Sequence, residues 1–583
     1  MILQALVSYY ESLVAAGKIE SPGWSKQKVS HALDLNDSGE IVQVYPLSTD
    51  VEEKGKKKED FRRIEVPAPV KRAVNVLPNF LCDHSGYLLG VDTKGKPERT
   101  AECFEACKAL HEKLLTGVDS PAARAVLAFF AHWDPAAAAE TPALKTEWEK
   151  LIGGGNLLFR YQGVDVSTDP AIRQCWNTHY QSAKDDVEMP CLVTGQVGPV
   201  ERIHPAIKGV RDAQSSGAAL VSFNSDSFCS YGKEQNLNAP TSKYAAFAYT
   251  AALNRLLSDK EHILWMGDTT VVFWAESSEN AYQDAFDAFL SGDEQLYTDT
   301  ELWHKTKKLM AGESVLWDDT RLDPSTRFYL LGISPNAARL SVRFFLQGTF
   351  GAFLQNVQAH YDRMEIVKNA KAAPIVPIWR MLQETVNPNS KDKASSPQMT
   401  GSVLQAVLAN TRYPATLLNG VTLRIRADRV MNRERAATIK AYYLQNPHKS
   451  VPKEVLTVSL NRETDNVPYC LGRLFATLEY VQRRVNPDLN TTIKDKYFSS
   501  ASATPAVVFP TLINLAQAHL KKLNRSDPGG VIYLNKLMTE ILDKLHEQYP
   551  NRMSLPEQGA FQLGYYHQNS AFYTKKQEET ENV

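Results

Sequence analysis

The chain has 583 residues, 43% of them hydrophobic and 22% charged, with Lys plus Arg at 65, Asp plus Glu at 66 and a formal net charge of −1. At ~100 to 200 residues per domain this length corresponds to about three to five domains and excludes a mini-protein, while Gly and Pro at 30 each exclude a collagen-like or largely disordered chain. No global field exists to hold a polyanionic nucleic acid or an anionic membrane, so any such binding must use local patches.

Met1 to Leu13 lacks a basic flank and carries Glu11, so it is predicted to be an amphipathic helix and not a signal peptide. Ile41 to Tyr45 alternates as a strand does, Gly86 to Val91 is an apolar run that also predicts a strand, and Glu52 to Asp60 between them predicts a mobile charged loop. From about residue 100 to 152 the period turns helical, with Cys103, Cys107, Leu110 and Leu114 at helix spacing. Strands are predicted again from Leu157 to about Phe273, including Leu220 to Phe223 and Thr270 to Trp274. Pro335 predicts the first turn of a helix that carries Leu340, Phe344, Phe345 and Phe350 on one buried face. Asn387 to Gln398 predicts a linker or long loop, and Asn446 to Pro452 a second break. The C-terminal segment predicts an antiparallel helical bundle, with Leu471, Leu474, Leu478, Val481 and Val485 on one stripe, Leu512, Leu515 and Leu523 on another, and Leu534, Leu537, Ile541 and Leu545 on a third, the last two separated by a turn at Asp527 to Gly530.

The expected fold class is therefore α+β and multidomain: a mixed α/β N-terminal domain over 1–345, a mainly helical middle region with a basic patch over 346–458, and a C-terminal helical bundle over 459–583. No apolar run approaches the ~18 to 20 residues needed to cross a bilayer. The cysteines, at 82, 103, 107, 175, 191, 229 and 470, are odd in number and thinly spread, unlike a secreted disulfide framework, so the expected compartment is reducing and cytoplasmic.

Cys103 with Cys107, and Cys175 with His179, stand four apart, but a zinc site needs four convergent ligands and neither pair has a partner pair at familiar spacing. The sequence carries no Walker A loop, no G-x-S-x-G, no H-E-x-x-H and no paired His-Asp signature. The chemistry expected is binding, with no catalysis and no metal or cofactor.

Gly217 to Pro240 is the most unusual stretch. A predicted strand runs into a loop crowded with Asn224, Ser225, Lys233, Gln235, Asn236 and Asn238, side chains whose donors and acceptors suit base edges and phosphates. The same residues suit a loop pinned by Asx and Ser/Thr turns ahead of a helix starting near Thr241, and composition leaves both readings open. Between Thr411 and Lys440, Arg412, Arg424, Arg426, Arg429, Arg433, Arg435 and Lys440 are set against Asp428 and Glu434. Arg424 and Arg426 alternate as on one strand face, and Arg429, Arg433 and Lys440 recur near helix spacing. Such a surface tracks a phosphate backbone, or is a solvated face or a protein interface. Lys71 and Arg72 with Asn75 and Asn79, and Arg339 with Arg343, are smaller clusters. Arg483, Arg484, Lys494, Lys496, Lys521 and Lys522, beside Tyr497 and Phe498, suit a single-strand platform or simply complement helix dipoles.

Several blocks carry a resemblance. Met1-Ile2-Leu3-Gln4-Ala5-Leu6 with Tyr9-Tyr10 opens the chain, and Val66-Pro67-Ala68-Pro69-Val70-Lys71-Arg72 leads to Pro78-Asn79-Phe80-Leu81 and Gly86-Tyr87-Leu88-Leu89-Gly90. With the block from Val221-Ser222-Phe223-Asn224 to Asn238-Ala239-Pro240, and with Ser334-Pro335-Asn336-Ala337-Ala338-Arg339, the chain resembles over nearly its whole length the large subunit of the type I-C CRISPR Cascade complex, the Dvulg-type member of the Cas-eight superfamily.

The resemblance implies a non-catalytic subunit of an RNA-guided surveillance complex. Such a subunit recognises the protospacer-adjacent motif (PAM) in double-stranded DNA, assists R-loop formation, stabilises the displaced non-target strand and docks a separate helicase-nuclease. Guide pairing is a nearly isoenergetic exchange, so something must first bind and weaken the duplex. Related large subunits work largely from the minor groove, with Asn, Gln and Lys donors and an inserted wedge. The implied partners are target duplex DNA and its displaced single strand, the CRISPR RNA complex, the backbone, 5'-end-binding and small Cascade subunits, and the helicase-nuclease, with no membrane.

Under the resemblance Asn224, Ser225, Lys233, Gln235, Asn236, Asn238, Lys71, Arg72, Asn75 and Asn79 become motif-contact candidates. Arg339, Arg343, Arg424, Arg426, Arg429, Arg433, Arg483, Arg484, Lys494, Lys496, Lys521 and Lys522 become candidates for the DNA backbone or displaced strand. The family also implies a small subunit translated from within the same gene; no Met lies between Met431 and Met538, so the expected start is a valine codon, Val451, Val455 or Val458. A purely architectural scaffold and a cryptic hydrolase are the rival readings.

Overall fold

The computed structural model describes residues 1–53, 56–70, 76–181, 187–391, 395–545 and 549–581. Helix makes up 51% and strand 16%, an α+β multidomain chain as expected. Two compact units form, Met1–Pro205 with Val221–Ala252, and Ala206–Leu220 with Leu253–Val583.

In the first unit α1 (Ile2–Ala15) buries Leu6, Tyr9, Tyr10 and Leu13, the stripe that three- and four-residue spacing places on one helix face. The strands that follow are β1 (Trp24–Val29), β2 (His31–Leu35), β3 (Ile41–Pro46), β4 (Ser48–Glu53), β5 (Lys56–Pro67) and β6 (Cys82–His84). β1, β5 and β4 form an antiparallel sheet, so the charged stretch from Glu52 to Asp60, expected as a mobile loop, belongs largely to a hairpin, with Lys54 and Gly55 outside the described residues. Its register sets Glu52 opposite Lys57 and Glu53 opposite Lys56. Gly86 to Val91, expected as a strand, instead starts within the helical turn α2 (Ser85–Leu88), all of it buried. A short buried apolar run has no period by which to separate the two states.

Next come α3 (Pro97–Leu115), α4 (Pro121–His132), α5 (Trp148–Ile152), β7 (Asn156–Tyr161), β8 (Val164–Asp165) and α6 (Pro170–Gln181). β2 pairs antiparallel with β3 and parallel with β7, which carries β6 on its other side. The core beneath this sheet holds Phe104, Phe129, Phe130 and Phe159, together with Cys103 and Cys107 on α3. The ribbon of β9 (Glu188–Pro190) and β10 (Val197–Pro199) then leads toward α7 (Lys243–Ser258), within which the division between the units falls.

In the second unit Leu220, where a strand was expected, lies in a stretch with only isolated bridges, Ala218 to Ile207 and Ala219 to Arg339. The elements that follow are β11 (Ile263–Met266), β12 (Thr269–Ala275), α8 (Ala281–Ser291), α9 (Glu294–Thr298), α10 (Thr300–Met310), the ribbon β13 (Val315–Trp317) and β14 (Thr320–Leu322), β15 (Arg327–Asn336) and β16 (Arg339–Thr349). The antiparallel order is β11-β12-β15-β16, and every residue of the inner strand β12 is buried. The helix expected from Pro335 is therefore a hairpin. Pro335 lies past Ile333, the last β15 residue paired with β12, so its missing amide proton costs no bond to that strand.

Helices begin at α11 (Phe350–Met364) and continue with α12 (Ile378–Gln383), α13 (Pro397–Leu408), α14 (Ala415–Asp428) and α15 (Arg433–Gln445). Arg424 and Arg426, expected on a strand, lie on α14, which buries Leu417, Val421 and Ile425 at four-residue spacing. The bundle consists of α16 (Val467–Val485), α17 (Ile493–Ala503), α18 (Pro505–Leu523), α19 (Pro528–Asp543) and α20 (Leu555–Glu581). Leu471, Leu474, Leu478 and Val481 are buried as expected, as are Leu534, Leu537, Ile541 and Leu545. Leu512 and Leu523 are buried too, but Leu515 of the same helix is 42% exposed, because the inward stripe of α18 passes instead through Val508, Ala516 and Leu520. No helix among the described residues is long and apolar enough to cross a membrane.

Candidate nucleic-acid interface

The polar loop ahead of α7 is tied at its C-terminal end within the first unit. Leu192 N–H donates to the Pro240 carbonyl at 2.9 Å, and Glu201 N–H donates to the Thr241 carbonyl at 2.9 Å. Asn236 is buried: its Nδ2 donates to the Glu201 carbonyl at 2.9 Å and meets Nε2 of His204 at 2.6 Å. Nδ1 of that histidine meets the Tyr249 hydroxyl of α7 at 2.6 Å. Burial pulls the His204 imidazole down to about 4, so the neutral ring stands at neutral pH, with Nε2 as acceptor for the amide.

Asn238 completes the clasp. Its Oδ1 accepts from Ser230 N–H at 2.9 Å, and its Nδ2 donates to the carbonyls of Lys233 at 3.1 Å and Gln235 at 2.9 Å. Gln235 accepts from Arg202 Nε at 3.0 Å. These bonds close the chain into a turn whose outer residues face water. Asn224, Ser225 and Lys233 are exposed, Phe228 is 44% exposed and Tyr231 is 99% exposed. Tyr231 and Gln235 both hold positive φ, 55° and 47°, conformations that non-glycine residues adopt only where surrounding bonds impose them.

The structure thus brings six of the sequence-derived candidates onto one loop and divides them by role. Asn236 and Asn238 hold the backbone, Gln235 braces against Arg202, and Asn224, Ser225 and Lys233 point outward. Sequence reasoning missed Tyr231, His204 and Arg202. A tyrosine beside glycine within a polar loop was the available signal for the first; the other two are distant in sequence and meet the loop only on folding. Lys71, Arg72 and Asn75 lie outside the described residues. Asn79 is buried, its Oδ1 accepting from Val70 N–H at 3.0 Å.

In the second unit the basic candidates fall into different environments. Arg424 pairs with Asp428, which also receives Nη2 of Arg435 at 2.6 Å, while Arg435 Nε reaches Glu384 at 2.6 Å. The Arg424 and Arg435 guanidiniums hold the Asp428 carboxyl below the usual carboxylate range against its partial burial. Lys440 is buried and donates to the Arg363 carbonyl at 3.0 Å. Arg426 donates to Gln558 at 2.6 Å and Arg433 to the Ala373 carbonyl at 2.7 Å. The even basic surface expected of this stretch is therefore in large part an internal ion-pair and carbonyl network. Arg429 stays exposed as the left-handed cap of α14.

Arg343 pairs with Asp268 at 2.8 Å, and Arg339 sits at the β15–β16 turn. In the bundle, Arg483 pairs with the buried Glu479 at 2.9 Å, and Arg484 pairs with Asp527. Lys494 lies 5.3 Å from the Tyr565 ring centroid, its amine drawn below the usual lysine range by burial. Lys496, Lys521 and Lys522 are exposed, Lys496 5.1 Å from the Tyr497 ring centroid and Lys522 donating to Asn486 at 3.4 Å. Among the described residues no group of three or more His, Cys, Asp or Glu could hold a metal ion.

The comparisons with known proteins bear on the family. No curated protein matches the chain. The model of the family described as CRISPR-associated protein (Cas_Csd1) matches residues 6–573, nearly the whole length, and the chain accordingly belongs to that CRISPR-associated family.

Proposed function

We propose that the chain is the non-catalytic large subunit of a type I-C RNA-guided surveillance complex and that the Asn224–Pro240 loop recognises the PAM in duplex DNA. The observation that carries this reading is the clasp of Asn236 and Asn238, which spends two amides on the loop's own backbone and leaves Asn224, Ser225, Tyr231 and Lys233 exposed. A preorganised turn loses little conformational freedom when it enters a groove. Asn and Lys donors meet the acceptors of the minor groove, and an exposed aromatic ring can open a base step.

In this proposal the complex assists R-loop formation after motif binding, the exposed cations of the bundle hold the displaced strand, and the helicase-nuclease docks separately. A start at Val451, Val455 or Val458 would retain the whole bundle, since α16 begins only at Val467; an intact mass beginning at Met431 for the co-purified short chain would refute that start.

The test is motif-dependent binding by the assembled complex. Lys233→Ala and Asn224→Ala are each expected to weaken binding to a motif-bearing duplex about tenfold while leaving motif-free binding nearly unchanged. Equal motif preference in variant and parent would favour the architectural scaffold. Metal-dependent cutting of DNA by the purified chain alone would favour the hydrolase.

A further inference from the structure

The second unit contains a cleft of about 970 Å³ that the sequence did not signal. One wall is the proline-bounded run Pro374 to Pro377 leading into α12, whose Trp379 is 54% exposed. The facing wall is α20, which presents Asn569 and Tyr573, the latter 47% exposed. Tyr566 fixes this wall by donating to the Val367 carbonyl at 2.8 Å.

Three cations enter the same space. Lys368 Nζ donates to the carbonyls of Ala373 at 3.2 Å and Pro374 at 2.7 Å, and Arg433 donates to the same two carbonyls at 2.7 and 3.2 Å. Arg380 lies 5.2 Å from the Trp379 ring centroid. Glu294 and Glu434 are in the lining as well. Arg433 Nε is buried without a hydrogen-bond partner. Burial lowers the affinity of both Lys368 and Arg433 for their protons, and for Lys368 the neighbouring Arg433 charge adds to it. Glu365 opposes that shift at Lys368, and Glu434 opposes it at Arg433. Two cations still lean on one carbonyl pair, and an anion entering the cleft would meet both.

We propose that this cleft binds a nucleotide unit, its base stacked against Trp379 or Tyr573 and its phosphate within reach of Lys368, Arg380 and Arg433. Exposed aromatic faces combined with cations on backbone-tracking positions are the pairing that single-stranded nucleic acids use, and stacking tolerates any base. The Asn569 amide lines the cleft, and its donors and acceptor suit a base edge. The proposal does not depend on the loop proposed to read duplex DNA, which belongs to the first unit, so either can fail alone.

The experiment uses the purified full chain and fluorescein-labelled oligo(dT), followed by anisotropy at low and moderate salt, with thymidine monophosphate as competitor. Trp379→Ala and Arg380→Gln are each expected to weaken binding about tenfold, and Arg380→Gln to reduce the salt slope by about 0.7. Displacement by the monophosphate identifies a site for free nucleotides; loss of oligonucleotide binding in the variants without such displacement identifies a site for a strand. Parent-like affinity in both variants with unchanged circular dichroism would overturn the proposal. Photocrosslinking of iododeoxyuridine oligonucleotides to the unsubstituted chain gives a readout free of folding effects: adducts at Trp379 or Tyr573 support the site, and adducts confined to other residues overturn it.

Discussion

The amide nitrogen of Asn236 and Nε2 of His204 lie 2.6 Å apart, which fixes the charge state of the histidine as well as the position of the loop. An amide N–H can donate only to a ring nitrogen that lacks a proton, so the contact requires neutral imidazole. The folded value of about 4 lies below the ordinary 6.5, so the unfolded chain binds the extra proton first as pH falls. His204 then contributes fully to stability above pH about 6.5, and the contribution shrinks between about 6.5 and 4, by at most about 3 kcal/mol. The urea midpoint should fall between pH 7.5 and 5, and His204→Gln should flatten part of that fall. An equally steep decline in the variant would remove His204 from the account.

Asn238 bonds the turn to itself, whereas Lys233 lies exposed on it. Asn238→Ala removes three hydrogen bonds around the turn, worth about 1 kcal/mol each before any compensation by water. Chymotrypsin should then cut faster at Tyr231, whereas Lys233→Ala, which removes only an exposed side chain, should leave the cutting rate as it was. If the loop reads the motif as proposed, both variants should bind motif-bearing duplex more weakly in the assembled complex. Unchanged proteolysis in Asn238→Ala would mean that the turn stands without its clasp.

The extent to which sequence foretold structure depended on whether a local period existed to be read. Leu471, Leu474 and Leu478 repeat over a long helix, so the bundle was legible. Pro335 was ambiguous: the same fixed φ suits a helix start and a strand end, and only the pairing of β15 with β12 and β16 decides between them. Arg424 and Arg426 misled because two alternating charges were read without the buried Leu417, Val421 and Ile425 around them. For the loop, the sequence supplied the residues but not their division. Whether an Asn points inward or outward depends on His204 and Glu201, more than thirty positions away.

Gly472 of α16 and Gly564 of α20 let the two helices touch backbone to backbone. A Cβ on Gly472 would fall on the Phe561 carbonyl oxygen, and one on Gly564 on the Tyr469 carbonyl oxygen. Alanine favours a helix over glycine by about 1 kcal/mol, but here overpacking of about 1 to 3 kcal/mol or more opposes it, since backbone cannot rotate aside. Gly472→Ala and Gly564→Ala should lower the melting temperature. Gly401→Ala, inside α13 with nothing within 4 Å, should raise it slightly. A raised melting temperature in Gly472→Ala would show that the helices can separate at no cost.

Two arginines near the end of α14 and the start of α15 make opposite predictions although both belong to one basic stretch. Arg435 is buried, with Nε on Glu384, Nη2 on Asp428 and Nη1 on the Val430 carbonyl at 2.8 Å. Arg435→Gln leaves Asp428 with Arg424 alone and Glu384 with only the Asn432 amide, a loss of about 2 to 3 kcal/mol. Arg429 is exposed and caps α14 at φ 57°, so Arg429→Gly removes a cation while easing the backbone. The glycine variant should keep or slightly gain stability by urea unfolding. If the stretch touches a phosphate backbone, that variant should also reduce the salt slope of DNA binding by about 0.9 per contact. A salt slope that changes only when Arg435 is lost, together with the fold, would assign the stretch to structure alone.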